Sequence, residues 1–152
     1  LTTMVYGILD AATGIFRYVS AGHPGPVHLA SGADPVILES QGFPLGLTDQ
    51  AYEERSVRLG AGDRLYFYSD GVPEAMDAAG SQFGSDRLQA AIGQGRAMPL
   101  QESVAALLGE IVSWRGSAKA QDDVSILAVE MSLTSGCDNP GGGASGLPQM
   151  VE

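Results

Sequence analysis

With 152 residues, 44% of them hydrophobic, the chain has the length and apolar content of one globular domain with a sizeable core. A formal charge of −10 argues against nucleic acid and anionic membrane as partners, because both reward a basic face. A lone cysteine, Cys137, excludes an intrachain disulfide and a cysteine-built zinc cluster, and no apolar run approaches a membrane span.

In chain order, Thr2 to Leu9 is rich in β-formers and ends at the polar turn Asp10-Ala11-Ala12-Thr13-Gly14. Ile15 to Ser20 resumes a strand, so residues 2–20 predict a hairpin. Ala21-Gly22-His23-Pro24-Gly25-Pro26 is a loop, since its prolines and glycines do not suit a ladder. Short strands are predicted at Val27–Ala30 and Val36–Glu39 around the turn Ser31–Asp34. The Gly/Pro loop Gly42–Leu47 carries apolar residues and is expected to pack onto the body. Tyr52–Leu59 reads as a strand, Gly60–Asp63 as a tight turn, and Leu65–Ser69 as a strand buried on both faces. The pattern then turns helical. A short helix is expected over Val72–Asp77, another over Ser85–Ile92 with Ser85 as N-cap, and the clearest over Leu100–Trp114. In that last helix Val104, Leu107, Leu108, Ile111 and Val112 recur at helical spacing. Val124–Met131 is the final strand, and the Gly/Pro-rich residues 133–152 are expected to form a disordered tail. Strands, then helices, then one strand suggest antiparallel sheet with helices packed outside it.

The most informative residues are acidic and flank apolar strands. Asp70 follows Arg64-Leu65-Tyr66-Phe67-Tyr68-Ser69, and Asp122-Asp123 precede Val124-Ser125-Ile126-Leu127-Ala128-Val129. If those strands run antiparallel side by side, the exit of one lies beside the entrance of the other. Carboxylates brought together repel unless a cation sits between them, and a hard divalent ion suits such oxygen donors. The plainer readings are a turn at Asp70-Gly71 and a solvated or gatekeeping pair at Asp122-Asp123. Consecutive strand residues point to opposite faces, so one member of that pair reaches a given ion. Gly71 allows close backbone approach. His23 is tempting as a general acid, but a histidine in a Gly/Pro loop is more often a structural hydrogen-bonder; His28, within a strand, is a weaker candidate. Cys137 has no neighbour to activate it. No phosphate-cradling GxxxxGK[ST] spacing occurs, and no Ser/His/Asp triad is forced.

Five strings stand in register: Ala21-Gly22-His23-Pro24, Pro44-Leu45-Gly46-Leu47, Gly62-Asp63-Arg64-Leu65-Tyr66-Phe67-Tyr68-Ser69-Asp70-Gly71-Val72-Pro73-Glu74-Ala75, Phe83-Gly84-Ser85-Asp86-Arg87-Leu88 and Asp122-Asp123-Val124-Ser125. Together they resemble the metal-dependent serine/threonine protein phosphatases of the PPM class. The bacterial branch, with the stage II sporulation phosphatase and the stress-response sigma-factor regulators, is the nearer match. The resemblance covers residues 1–132 as a phosphatase domain and leaves the tail outside. It implies an α+β fold, an αββα sandwich of two antiparallel sheets flanked by helices on both outer faces. It also implies two Mn²⁺ or Mg²⁺ ions at one end and a metal-bound water, with no side-chain nucleophile, that attacks phosphoserine or phosphothreonine. By position in the family's motifs, Asp70 and Asp122 are metal ligands, while Gly71 and Asp123 lie beside the metal. The substrate implied is a phosphorylated regulatory protein such as an anti-anti-sigma factor.

There is one departure. The family's earlier Gly-Asp-x-Ser-Gly-like motif, whose aspartate bridges both metals, is absent from residues 1–152. The chain opens on Leu1 within a strand-like stretch, so a domain incomplete at its N-terminus is expected, with one sheet short of strands and an open edge. Alone it should bind metal poorly and show little or no activity. An upstream sensor domain is compatible with this reading. So is a cytoplasmic location, given the absence of a basic-then-apolar leader. Two rivals stay open: a non-catalytic phosphatase-like regulatory or binding module, and an acidic β-protein that takes Ca²⁺ for structure.

Overall fold

The computed structural model describes residues 2–118 and 122–132, so the Gly/Pro-rich tail and Cys137 lie outside the described residues. The first hairpin joins β1 (Met4–Asp10) to β2 (Ile15–Ala21), with Met4 opposite Ala21 and Asp10 opposite Ile15. Its turn is closed by chain chemistry: the Asp10 carboxylate accepts the amides of Ala12 and Thr13 at 2.9 and 3.2 Å. Gly14 adopts φ 71°, a left-handed conformation that glycine takes without strain. β5 (Arg55–Arg58) pairs on the other side of β2 and completes a three-stranded sheet ordered β1-β2-β5. The second sheet contains β3 (Val27–Leu29), β4 (Val36–Ile37), β6 (Arg64–Tyr68) and β7 (Ile126–Glu130) in the order β4-β3-β6-β7, all antiparallel.

Side-chain alternation along β6 explains its unbroken apolar run. Leu65 and Phe67 point into the layer between the sheets, where they meet Phe16, Tyr18 and Leu59. There Phe16 stacks on Tyr18 with centroids 5.3 Å apart, and Phe67 approaches Phe16 edge-on at 5.8 Å. Tyr66 and Tyr68 point the other way, into a second core with α1 (Gly84–Gln94) and α2 (Leu100–Arg115). Leu88, Ile92, Leu107 and Ile111 form the helical side of that core against Val27 and Leu29. The buried Tyr66 hydroxyl pairs with Ser103 Oγ at 2.9 Å, satisfying two polar groups inside it. Neither helix is long and apolar enough to cross a membrane.

Both described helices lie on the four-stranded sheet. On the opposite side of the sandwich, β1 is an edge strand and its outward residues Met4, Tyr6 and Ile8 are exposed.

Several sequence expectations need correction. Val72–Asp77 forms turns, because the carbonyls of Pro73 and Ala75 accept the amides of Gly84 and Phe83 instead of continuing a helical ladder. Ser85 lies inside α1 and makes no capping bond; the cap position is Phe83. In α2 the buried seam runs through Ser103, Leu107 and Ile111, leaving Leu108 and Val112 largely exposed at 45% and 56%. A helix packed on one face of a single sheet buries a narrower stripe than its apolar periodicity implies. The Gly42–Leu47 loop does attach to the body through the Leu45 amide and Thr2 carbonyl at 2.9 Å, although Phe43 and Leu47 remain exposed.

Two polar residues fasten the layers at the start of β6. Arg64 is 7% exposed, and its guanidinium reaches Glu130 at 2.6 Å and the carbonyls of Gly95 and Met98 at 3.2 and 2.7 Å. That one side chain ties β6 to β7 and to the α1–α2 connection. Asp63 accepts the amides of Ser31 and Gly60 and the His28 ring, each at 2.9 Å, joining β3 and its following turn to the turn that enters β6. Burial alone pushes the Asp63 carboxyl up, but the two amides and His28 together hold it below the ordinary value of 3.8. Its folded-state pKa is depressed, so its stabilisation is fully present above that ordinary value and is lost as pH falls through the folded-state one. Asp63→Asn is therefore expected to lower the melting temperature at neutral pH and to narrow its gap from wild type as the pH is taken below 3.8, measured by thermal unfolding monitored by circular dichroism.

Candidate metal centre

The candidate site is built where β6 and β7 end. Their ladder runs from Arg64–Glu130 to Tyr68–Ile126, and continuing that register sets Ser69 opposite Ser125 and Gly71 opposite Asp123. The pairing does continue: the Ser69 amide donates to the Ser125 carbonyl at 3.0 Å. Beyond it the chain turns away, with the Val72 amide on the Ser69 carbonyl at 3.0 Å and the Glu74 amide on the Asp70 carbonyl at 3.1 Å. Asp70 is thereby placed on an exposed turn at the tip of a buried strand.

Gly71 is where the two acidic segments touch. A Cβ built there would overlap the Asp123 carbonyl oxygen and sit 3.4 Å from Asp122 Cβ. The glycine is thus required by close approach of the opposing backbone, and the segments bearing Asp70 and Asp122 meet at one end of the sheet as the sequence suggested. Each carboxylate is steadied by its own chain: Asp70 Oδ1 accepts the Gly71 amide at 3.1 Å and Asp122 Oδ1 the Asp123 amide at 2.8 Å. Asp70, Asp122 and Asp123 are all exposed. Asp123 contributes its main-chain carbonyl to the local scaffold, accepting the Ser69 hydroxyl at 2.9 Å.

These donors fit a hard divalent ion in kind. Carboxylate oxygens at a solvent-facing edge suit Mg²⁺ or Mn²⁺, which commonly take one or two carboxylates and keep several waters. Among the described residues no group of three or more His, Cys, Asp or Glu side chains comes together. Asp70 and Asp122 are the carboxylates whose segments meet at this end of the sheet.

His23 serves the scaffold. Its Nε2 lies 3.1 Å from the Tyr68 carbonyl and its Nδ1 3.4 Å from Thr3 Oγ1, while its own carbonyl accepts the hydroxyls of Ser20 (2.8 Å) and Ser40. The Ala21–Pro24 loop is thereby hooked onto the last residue of β6, one step before Ser69. His28 sits far from this end, on Asp63. The close approach at Gly71 is open to a glycine reading of the sequence, whereas the role of Ser69 is not; its one trace is a serine next to Asp70, with Ser125 two residues after Asp123.

Gly71→Ala is expected to force β6 and β7 apart at this end and to destabilise the fold by about 1–3 kcal/mol, as overpacking against backbone does. Chemical denaturation with both proteins under the same conditions checks this, and an unchanged midpoint would contradict the close approach.

Comparison with known proteins bears on what this end of the sheet is. Residues 1–132 match the family model described as Stage II sporulation protein E (SpoIIE). Among solved structures, the RsbU and RsbW domains of Rv1364c from Mycobacterium tuberculosis align with a TM-score of 0.74 and 28% identity, over 86% of this chain and 36% of that one. The SiaA-PP2C domain of Pseudomonas aeruginosa aligns at 0.71 with 22% identity, over 84% of this chain and 51% of that one. The Mn-presoaked phosphatase domain of SpoIIE from Bacillus subtilis aligns at 0.69 with 19% identity, over 88% and 58%. Among curated proteins, Protein IcfG of Synechocystis sp. is 30% identical over 87 residues, which is 57% of this chain and 14% of that protein. The chain spans well under two thirds of each of these relatives. The two antiparallel sheets with their helices are those of the PPM phosphatase fold, and the chain belongs to the Stage II sporulation protein E (SpoIIE) family.

Proposed function

We propose that this chain contributes to a metal-dependent phosphatase acting on phosphoserine or phosphothreonine of a regulatory protein, with Asp70 and Asp122 as ligands to Mn²⁺ or Mg²⁺. The observation that carries the reading is the meeting of the two acidic segments at Gly71. Membership of the SpoIIE family supports it, as do the phosphatase domains among the structural relatives. One of those relatives carries an RsbU domain together with an RsbW domain, which favours a partner in sigma-factor regulation such as an anti-anti-sigma protein. The SpoIIE phosphatase domain among the structural relatives was presoaked with Mn, and RsbX, a further structural relative, is in complex with magnesium.

The division of labour follows from the residues. Asp70 and Asp122 would hold the cation from opposite strands, so that strand pairing fixes their separation. Gly71 keeps the space between them clear of a side chain. His23 and Ser69 hold the two backbones that carry the ligands. A divalent pair, when bound, supplies activation of solvent at neutral pH and neutralisation of charge on the phosphoryl oxygens, which uncatalysed phosphate ester hydrolysis lacks.

A second reading, a non-catalytic phosphatase-like docking module, is favoured by one specific observation: among the described residues no group of three or more His, Cys, Asp or Glu side chains comes together. The two readings separate experimentally. The 152-residue chain, titrated with Mn²⁺ in the presence of a phosphoserine peptide, is expected to give no turnover above the metal blank. A longer polypeptide that contains this chain and shows Mn²⁺-dependent hydrolysis is expected to lose at least about a hundredfold in kcat on Asp70→Asn, with its circular dichroism unchanged. Undiminished hydrolysis by that variant would refute the ligand assignment, and a longer polypeptide that is inert with Mn²⁺ and with Mg²⁺ would favour the docking module.

A further inference from the structure

In an antiparallel sheet a hydrogen-bonded pair exchanges two main-chain bonds. At Ser69–Ser125, the last pair before the acidic turn, one of the two is replaced. The Ser69 amide donates to the Ser125 carbonyl at 3.0 Å in the ordinary way. The reciprocal donor, the Ser125 amide, instead reaches Ser69 Oγ at 3.0 Å. The Ser69 carbonyl accepts the Val72 amide and so closes the turn on which Asp70 and Gly71 stand. The hydroxyl proton completes the arrangement by going to the Asp123 carbonyl at 2.9 Å. One side chain therefore accepts from one residue of the opposing segment and donates to another two positions away.

We propose that Ser69 is a positioning residue whose hydroxyl substitutes for its own carbonyl in the β6–β7 ladder. The substitution resolves a geometric conflict. A carbonyl committed to the ladder points across the sheet, whereas the turn that presents Asp70 needs it along the chain. With the hydroxyl standing in, the chain turns at once and stays bonded to its neighbour. The Asp123 backbone is pinned by the same group, so the spacing of Asp70 and Asp122 is set on both sides. Alanine cannot make either bond, and threonine retains both the donor and the acceptor. The consequence for metal binding rests on the function proposed above; the hydrogen-bonding role stands apart from it.

The test uses the full chain with Ser69→Ala and Ser69→Thr, read by amide hydrogen exchange and by Mn²⁺-induced broadening of backbone amide signals. Ser69→Ala is expected to speed exchange of the Ser125 amide about tenfold, the worth of one hydrogen bond, while the β6–β7 ladder amides keep their wild-type rates. Ser69→Thr is expected to restore it. Wild-type exchange at Ser125 in the alanine variant, or exchange in the threonine variant as fast as in alanine, would overturn the proposal. In the second readout, Mn²⁺ is expected to broaden Gly71 and Asp123 at the same concentration in wild type and in Ser69→Thr. The alanine variant is expected to need about tenfold more Mn²⁺, the equivalent of one hydrogen bond. Absence of broadening at both segments in wild type would count against the metal reading, and the exchange rates would still decide the role of Ser69.

Discussion

The structure depends on the burial of β6 on both faces. Leu65 and Phe67 close the layer between the sheets, and Tyr66 and Tyr68 close the layer under the helices, so a single five-residue strand belongs to both cores. A strand fixed from two sides cannot slip in register, since a one-residue shift would exchange the two sets of side chains. The β7 register follows from it, and with that register the position of Asp122 and Asp123 relative to Asp70. The candidate metal end is thus a by-product of core packing several residues away.

The two ends of β6 carry aspartates with opposite fates. Asp63, at the entrance, is buried and takes three donors, two from β3 and the turn after it and one from its own turn. Asp70, at the exit, is exposed and takes one amide, from its immediate neighbour. The strand between them spans about 16 Å, beyond the reach of either carboxylate toward the other in salt-containing water. A carboxylate saturated by protein donors is a structural fastener. One left with unused lone pairs at a solvent edge, with a second carboxylate-bearing segment against it, is available to an ion. Identity of residue type alone does not distinguish the two; the number of donors does.

Much of the fold was legible in the sequence because strong local signals agreed with the final packing. The hairpin at residues 2–20 was announced by Asp10 and Gly14, and the two-sided burial of β6 by its unbroken apolar run. The errors arose where long-range bonds override local preference. Val72–Asp77 looked helical, but the carbonyls of Pro73 and Ala75 belong to the return segment at Phe83 and Gly84. Leu108 and Val112 matched the helical period, yet the stripe that α2 buries runs through Ser103, Leu107 and Ile111. At the site, the meeting of the Asp70 and Asp122 segments could be anticipated from strand order. The functions of Ser69 and of the Asp63 and Arg64 side chains could not, because each depends on which main-chain groups a turn leaves unpaired.

Arg64 also decides where the helical layer is anchored. One guanidinium holds the α1–α2 connection to the sheet, just before α2 begins. At the far end of α2, Trp114 donates to the Ser81 carbonyl and packs edge-on against Phe83. Phe83 and Gly84 are bonded in turn to Ala75 and Pro73, a few residues after Asp70. The helical layer is thus joined to the sheet near both ends of α2, at one by a single cation and at the other by a run of contacts that leads back to the acidic turn.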